Sequence, residues 1–200
     1  QGRLPAIKFF VDSPLAIRTT DTYAKYSSYM NEESIRFMRQ HGSLFEFEYL
    51  DYITDKRDSE KLQDHYEPCV IISAAGMVEG GRIQEHVRNN IGNAYSTILI
   101  AGFCADGTLG HRLLNGQGHV YINGKEYPVF AKVEKTDAFS AHPDHVGLKR
   151  FIQESGGKNL KGIFLVHAEE SSMESLESDL NLNGYENVFI PNKLEEFELL

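Results

Sequence analysis

The sequence has no apolar run close to the roughly 18 residues that a membrane-spanning helix needs. It also has only two cysteines, Cys69 and Cys104, and each adjoins or ends an apolar run typical of a strand. Two thiols are too few for a disulfide framework, so we expect buried free thiols in a reducing compartment. No charged-then-apolar leader with a cleavage site opens the sequence. These absences predict a cytoplasmic protein without a membrane segment.

Positive charge is scarce as well. The chain has 20 Lys and Arg against 29 Asp and Glu, a formal net charge of −9 at pH 7. This balance argues against a generic surface for polyanions. It is compatible with a local RNA channel, because a few arginines, glycine-turn amides and a metal can hold phosphates on an acidic protein. The 200 residues, 41% of them hydrophobic, are enough for one sizeable core or two smaller ones.

Apolar runs typical of strands alternate with helix signals along the chain. Strands are predicted at 6–11, 45–52, 68–73, 96–101, 129–133, 162–166 and 188–190. Helices are predicted at 14–30, 32–40, 82–90, 108–114, 143–154 and 173–182. The segment 54–66 is either a helix that begins at Asp58 or Ser59 or a solvated loop, and 120–129 is a hairpin with Asn123-Gly124 at its turn. This alternation predicts an α/β fold with a parallel β-sheet flanked by helices on both faces.

Two glycine-bearing turns, at 74–81 and 102–107, each join a predicted strand to a predicted helix. A strand, a glycine turn and a helix start can present free backbone N–H groups to an anion. Glycine turns in these positions are also common as plain turns. Neither is a P-loop, because no Gly-Lys-Ser/Thr follows, and neither has the full dinucleotide spacing.

Two histidines and a carboxylate stand close together in the stretch 139–145, Phe-Ser-Ala-His-Pro-Asp-His. Because Pro143 suits the first turn of a helix, we expect His142, Asp144 and His145 at a strand-to-helix corner, where α/β proteins often bind ligands. The structural interpretation stays open. Asp144 can satisfy amides of the first helical turn, and His145 can be an exposed helix residue.

Another histidine, His167, follows the apolar run 162–166. An imidazole at the end of a buried strand needs a partner or a metal. Glu169 either orients this ring or caps the next helix. A zinc site generally takes three or four protein ligands. The sequence has no His-x-His-x-Asp-His, Cys-x-x-Cys or His-Glu-x-x-His, so a complete metal centre would need residues from elsewhere.

Five segments in order resemble the motifs of one family. They are Asp-Ser-Pro-Leu-Ala at 12–16, Ser-Ala-Ala-Gly-Met at 73–77 with Gly80-Gly81, Gly-Phe-Cys-Ala-Asp-Gly-Thr-Leu-Gly at 102–110, Phe-Ser-Ala-His-x-Asp at 139–144 and Leu-Val-His-x-Glu at 165–169. With these motifs the chain resembles the β-CASP branch of the metallo-β-lactamase superfamily. That branch consists of RNA-processing nucleases, including cleavage-and-polyadenylation-type endonucleases and their bacterial relatives.

The resemblance covers the C-terminal half of such an enzyme. It implies that residues 1–127 are most of an N-terminally truncated β-CASP domain and that 128–200 are the C-terminal segment of the metallo-β-lactamase αββα domain, the RNA-specificity metallo-hydrolase segment. The family's N-terminal zinc cluster, its motif A carboxylate and the opening β-CASP strand and helix are not in this sequence. Ala168 stands where the family usually has glycine.

The resemblance also implies roles for individual residues. His142 would donate a proton to the leaving oxygen, His167 would bind zinc in a site with two zinc ions, and Asp144 and Glu169 would support them. The residues expected at the RNA backbone are Ser13, Ser73, Gly76, Gly80, Gly81, Gly107 and Thr108. The implied partners are RNA, the missing N-terminal half of the lactamase domain and a second copy in a homodimer.

The first functional hypothesis is therefore a zinc-dependent ribonuclease, of which this fragment alone would be inactive. The second is a non-catalytic RNA-binding or scaffold member of the same fold. A third, a nucleotide-binding doubly wound domain, has only the glycine turns in its favour. The presence of both His142 and His167 favours the nuclease.

Overall fold

A computed structural model describes residues 6–140 and 142–198. The chain divides into two compact units, Gln1–Ser140 and Ala141–Leu200. The strands of the first unit are β1 (Lys8–Val11), β2 (Leu50–Tyr52), β3 (Cys69–Ile72), β4 (Thr97–Ala101), β5 (His119–Ile122), β6 (Lys125–Pro128) and β7 (Lys132–Thr136). Its helices are α1 (Pro14–Lys25), α2 (Glu32–His41), α3 (Lys56–Lys61), α4 (Gly81–Asn90) and α5 (Leu109–Leu114). The second unit has α6 (His145–Glu154), β8 (Ile163–Phe164), α7 (Glu170–Leu182) and β9 (Val188–Phe189).

Parallel pairing dominates the strands. In the first unit β1 is the central strand of a parallel sheet in the order β2-β1-β3, and β4 pairs in parallel with β7. In the second unit β8 pairs in parallel with β9. Only the β5–β6 hairpin is antiparallel among the strands of the described residues. The predicted α/β class with parallel strands and flanking helices is confirmed.

The sheets are smaller and more open than predicted. The parallel strands form separate sheets of two or three strands rather than one, within the residues described. Val70, Ile72 and Leu99 are exposed although they lie in strands. From the apolar run at 68–73 we also expected β3 to be a buried strand, and this was wrong, since its residues alternate between half-buried and exposed.

Each unit has its own hydrophobic core. The core of the first unit lies among α4, β4, α5 and β5, and its most buried residues are Val78, Ile91, Leu109, Leu113, Val120 and Ile122. The core of the second unit joins α6, β8 and α7, with Ile152, Ile163, Leu176, Leu180 and Tyr185. Helical spacing brings Val87 with Ile91 and Leu109 with Leu113 into the first core, and Leu176 with Leu180 into the second.

Local signals explain where several elements begin and end. Ser13 caps α1, with its Oγ accepting from the Ala16 amide at 3.2 Å, and Pro14 is the first helical residue, as predicted. Gly42 ends α2 at a positive φ of 87°. The hairpin turn Asn123-Gly124 has φ of 50° and 77°, the conformation of a type I′ turn.

Other boundaries differ from the prediction. The first helix ends at Lys25 and is followed by a short 3-10 turn at Ser27–Tyr29. The strand predicted at 45–52 is only Leu50–Tyr52, the part that pairs with β1. Neither Asp58 nor Ser59 begins α3, because Asp55 caps it with an Oδ1 that accepts from the Arg57 amide at 2.7 Å.

Three further corrections concern the C-terminal part. The strand predicted at 129–133 lies at 132–136, in register with β4. The strand predicted at 162–166 is only Ile163–Phe164, and α7 begins at Glu170 rather than at Met173. Because β7 pairs with β4, the compact first unit extends to residue 140. The assignment of 1–127 and 128–200 to two ancestral domains is a separate matter and stays a prediction.

None of the helices in the described residues is both long and apolar enough to cross a membrane.

Close packing around Gly110 generates a testable prediction. A Cβ at this position would lie 2.6 Å from the Cys104 Sγ and 2.9 Å from the Met77 carbonyl oxygen. Alanine is preferred to glycine in a helix by about 0.5–1 kcal/mol, whereas overpacking costs about 1–3 kcal/mol. We expect Gly110→Ala to lower the free energy of unfolding by about 1–2 kcal/mol in urea titrations.

The matched control is Gly92→Ala. A Cβ there meets no atom within 4 Å, so we expect no loss of stability. Equal stability of the Gly110→Ala variant and the wild type would show that the backbone at Met77 can move away from the new methyl group without loss of free energy of unfolding.

Candidate functional site

A buried carboxylate organises the carboxyl end of β1. The side chain of Asp12 is fully buried. One oxygen accepts hydrogen bonds from the Ser59 hydroxyl at 2.5 Å and from the His86 Nε2 at 2.5 Å. The other oxygen accepts from the Arg82 guanidinium at 2.6 Å. The carboxylate thereby ties β1 to α3 and α4.

Arg82 and Ser73 extend this network to the backbone. The Arg82 guanidinium also donates to the carbonyls of Ile53 and Thr54, each at 3.0 Å. The Ser73 hydroxyl donates to the Asp12 carbonyl at 2.8 Å. The ends of β1, β2 and β3 are therefore held together by side chains as well as by sheet hydrogen bonds.

The charge of Asp12 is stabilised despite its burial. Burial by itself would raise the pKa of this carboxyl. The hydrogen bonds from Ser59, Arg82 and His86 and the charge of His86 outweigh it, so the pKa of Asp12 lies below its ordinary value. Asp12 is therefore an ionised structural anchor.

A cleft of about 420 Å³ lies where the first turns of α1 and α4 come together. We call it the α1–α4 cleft. It is lined by residues 12–15 and 79–82 together with Arg18, Ala74 and Ala75. Gly80 precedes α4 at a φ of +74° and has no side chain to cap the helix. The first amides of α4 have no partner within the helix, so they are hydrogen-bond donors for an anion.

Among the described residues, some of the charged side chains around the cleft are paired within the protein, and others are not. Arg82 is bound to Asp12, and a Glu79 oxygen accepts from the Leu109 amide at 2.6 Å. Arg18 is exposed at the rim, and in the part of the chain that the structure describes no ion pair engages it. The positive character of the cleft thus comes from Arg18 and the N-terminal ends of the two helices.

The structure brings three of the predicted RNA-contacting residues, Ser13, Gly80 and Gly81, to this cleft. Ser73 and Gly76 flank the lining residues Ala74 and Ala75 in sequence. The Ser73 hydroxyl is committed to the Asp12 carbonyl, and the Gly76 carbonyl accepts from the Cys104 thiol at 3.6 Å.

Gly107 and Thr108 do not line the cleft in the described residues. The Thr108 Oγ1 caps α5, accepting from the His111 amide at 3.3 Å. The Gly107 carbonyl accepts from Arg112 at 2.8 Å. The Leu109 amide donates to a Glu79 carboxylate oxygen. The N-terminal amides of α5 are therefore hydrogen-bonded to groups of the protein itself.

In the second unit Asp144 caps α6, because its Oδ1 accepts from the Gly147 amide at 2.8 Å. Pro143 precedes the cap, so the expectation that Pro143 opens the helix was wrong. His142 is exposed. Ala141, which belongs to the same motif, lies outside the described residues. The supporting role of Asp144 in catalysis stays a prediction.

His145 begins α6 and joins it to α7. Its Nε2 lies 2.6 Å from an oxygen of Asp179, which also accepts from the Lys149 ammonium at 2.7 Å. The hydrogen bonds from Lys149 and His145 lower the pKa of Asp179. His145 therefore has a structural partner on the protein surface.

His167 is exposed, whereas we expected it at the end of a buried strand. The expectation failed because β8 ends at Phe164, three residues earlier. His167 has a φ of +65°, a left-handed conformation that costs a non-glycine residue about 1–2 kcal/mol. Strained residues of this kind cluster at functional sites. Glu169 occupies the cap position of α7 without a side-chain hydrogen bond to that helix.

The residues present do not fit a complete zinc site. Within residues 6–140 and 142–198, no three His, Cys, Asp or Glu side chains are arranged to hold a metal ion. Protein zinc sites use three or four such ligands. His167 could contribute one ligand only, and the others would have to lie outside the described residues.

Sequence reasoning missed the cluster around Asp12. One signal was available: Arg82 and His86 are four residues apart and therefore lie on the same face of α4. Their common partner could not be found in this way, because Asp12 is 70 residues from Arg82 and 74 from His86.

Comparison with known proteins identifies the ancestry of this architecture. The model of the Beta-Casp domain matches residues 1–113. The chain belongs to the β-CASP family. The model of the Zn-dependent metallo-hydrolase RNA specificity domain matches residues 126–191, which include both His142 and His167.

Three relatives show the breadth of this family. Ribonuclease TTHA0252 of Thermus thermophilus is 28% identical over 92% of this chain and 42% of its own length. Integrator complex subunit 11 of Gallus gallus is 25% identical over 91% of this chain and 29% of its own. Endoribonuclease YSH1 of Mycosarcoma maydis is 27% identical over 88% of this chain and 19% of its own. The chain thus spans less than half the length of these β-CASP relatives.

The buried charge of Asp12 predicts the pH dependence of stability in this β-CASP protein. Because the pKa of Asp12 is lower in the folded state, its stabilising effect is complete above its unfolded pKa of about 3.9. It is lost as the pH falls through the folded pKa. Asp12→Ala leaves Arg82 and His86 without their partner, so we expect a loss of about 3–5 kcal/mol at pH 7.

The measurement is urea unfolding of wild type and Asp12→Ala between neutral pH and about pH 3, across the carboxyl range. The difference between the two proteins should shrink as the pH falls. Ser59→Ala, which removes one neutral donor, should cost only about 0.5–1.5 kcal/mol. A constant difference at all pH values would show that the carboxylate charge contributes nothing.

Proposed function

We propose that the whole protein containing this chain hydrolyses RNA phosphodiester bonds in a zinc-dependent reaction. The observation that carries the proposal is that one RNA-specificity family model covers both His142 and His167. Support comes from relatives named as a ribonuclease and an endoribonuclease. Both histidines are exposed residues.

The two histidines receive different roles. We assign His142 as the general acid that gives a proton to the leaving oxygen, a role that imidazole often has in enzymes. We assign His167 as one ligand of a zinc site with two ions, completed by residues outside those described. Asp144 supports His142 by fixing the first turn of α6, and Glu169 supports His167 from the start of α7.

We further propose that the RNA backbone contacts the α1–α4 cleft. The free amides of α4 and the Arg18 guanidinium supply donors and positive charge for a phosphate. Ser13, Gly80 and Gly81 border this space, and Ser73 and Gly76 hold the adjoining turn. Gly107 and Thr108 already form hydrogen bonds within the protein, which favours a structural role for the glycine turn at 102–107.

The proposed membership of a zinc-dependent nuclease also implies binding partners for this chain. In the second unit an apolar groove of about 600 Å³ lies beside α6, β8 and α7, with Phe151 and Val166 exposed along it. We propose that the N-terminal half of the metallo-β-lactamase domain covers this groove. The proposal also includes a cytoplasmic location and a homodimer, both of which rest on the family resemblance.

The two histidine roles make separable predictions for the whole protein. His167→Ala should lower the zinc content measured by mass spectrometry, because a ligand is lost. His142→Ala should slow RNA cleavage about 100-fold or more while zinc stays bound, because only the proton donor is removed. His119→Ala, on an exposed position of β5, is the control and should change neither.

If both the His142→Ala and the His167→Ala variants cleave RNA like the wild type, the assigned roles are wrong. If the wild-type protein binds RNA without cleaving it, the non-catalytic scaffold hypothesis replaces the nuclease.

The 200-residue chain on its own should not cleave RNA, because its described residues do not provide the ligands of a zinc site. A labelled single-stranded RNA incubated with the purified chain and zinc should stay intact. Cleavage that EDTA abolishes would contradict this prediction.

A further inference from the structure

We propose that the exposed face of α1 is a binding track for single-stranded RNA that continues outward from the α1–α4 cleft. The track consists of Arg18, Thr22, Lys25, Tyr26 and Tyr29, and we call it the α1 ridge. This inference rests on the proposed function, because it assumes that RNA reaches the cleft. It adds a specific path and a stacking platform for the bases.

Helix geometry aligns these side chains. Arg18 and Thr22 are four residues apart on one face of α1, and Tyr26, the residue that caps the end of the helix, continues this spacing. Lys25 lies beside Tyr26, and Tyr29 is in the short 3-10 turn that follows. Arg18 also lines the cleft, so the ridge begins at the cleft. The rise from Arg18 to Tyr26 is about 12 Å at 1.5 Å per residue.

The two tyrosines of the ridge are exposed. Tyr26 is 51% exposed and Tyr29 is 86% exposed. Their ring centroids are 6.2 Å apart with planes tilted by 56°. Both tyrosines follow the last residue of α1 and both are exposed, so neither ring belongs to the core. Adjacent exposed rings of this kind are what proteins use to stack successive bases of a single strand.

The charges on this face complement a polyanion. The Lys25 ammonium lies over the Tyr26 ring, 5.6 Å from its centroid, so a cation covers one face of this ring. Arg18 adds a second cation at the cleft end. These two cations stand on a chain whose formal net charge is −9. Local positive charge of this kind holds phosphates while the rings hold bases.

Asp21 is the acidic residue of α1, three residues after Arg18 and four before Lys25, so it lies beside both cations on the helix surface. Arg18 and Lys25 outnumber it, so the net charge of this face is positive. Burial raises the pKa of Tyr52, and the charges of Glu46 and Asp21 raise it further. Glu32 and Glu33 follow in the first turn of α2, where they interact favourably with that helix terminus. The ridge therefore ends at Tyr29.

RNA explains these features better than a protein partner does. A docking surface for another protein would bury a continuous apolar patch, whereas the ridge alternates cations, a hydroxyl and two amphipathic rings. Leu15, at the cleft end, is the exposed apolar side chain nearest in sequence to Arg18. Stacking on an aromatic ring does not depend on the base sequence, so the track would accept any single-stranded RNA.

The test uses the whole protein and a labelled single-stranded RNA of about 10 nucleotides, within the usual range for such sites. Tyr26→Ala and Tyr29→Ala should each weaken binding at least about fivefold, the low end of base stacking on an aromatic ring. Tyr29→Phe should bind like the wild type, because the ring is kept. Lys25→Gln should lower the slope of log affinity against log salt by about 0.7.

Matched controls come from the same unit. Tyr95 is fully exposed in the turn before β4, and Tyr95→Ala should leave RNA affinity unchanged. Lys125 lies 5.4 Å from the Tyr127 ring in the hairpin, a similar pair, and Lys125→Gln should leave the salt slope unchanged. The ridge side chains are exposed, so circular dichroism should show that all the variants remain folded.

The outcomes separate this inference from the proposed function. If the wild type binds and cleaves RNA and the tyrosine variants bind it as tightly, the ridge proposal is overturned and the nuclease stands. If the variants change the molecular mass in sedimentation but not RNA affinity, the face is a contact between copies and the RNA track is also overturned. If the wild type does not bind RNA at all, both proposals fail.

Discussion

The buried carboxylate of Asp12 is the constraint on which the first unit depends. A charge removed from water must stay paired, and here Ser59, Arg82 and His86 pair it from α3 and α4. Any movement of α4 away from β1 would leave that charge without its partners. The geometry of the α1–α4 cleft is therefore fixed by a network whose charges are paired within the protein.

This arrangement separates groups that are paired within the protein from groups that remain available to a ligand. Arg82 and Glu79 border the cleft, yet both are satisfied within the protein. Donors for an anion remain in the α4 amides and in Arg18, which require no titration to act. In the second unit the same division applies. Asp144 and Asp179 hold helices in place, whereas His142 and His167 are exposed and belong to the motif positions of a β-CASP protein.

Local chemistry allowed much of the fold to be predicted. The cap Ser13 with Pro14, the terminator Gly42 and the Asn123-Gly124 turn are each specified by two or three neighbouring residues. The cluster around Asp12 could not be predicted, because its members come from distant segments. The burial of His167 was predicted wrongly because β8 pairs with β9 over only two residues, so the apolar run continues past the end of the strand. Side-chain positions at the predicted catalytic site depend on which strands pair and over how many residues. An apolar run in the sequence does not specify this.

The helix α1 carries functional candidates without a single buried residue. Its first turn is held by the Ser13 cap and the adjoining Asp12 anchor, but its last turns bury little apolar surface. Amide hydrogens near Lys25 should therefore exchange with solvent through local opening, while those of β1 exchange only through larger unfolding. An RNA strand that binds along this helix would have to order the C-terminal end of α1. The entropic cost of this ordering would make the RNA affinity sensitive to temperature.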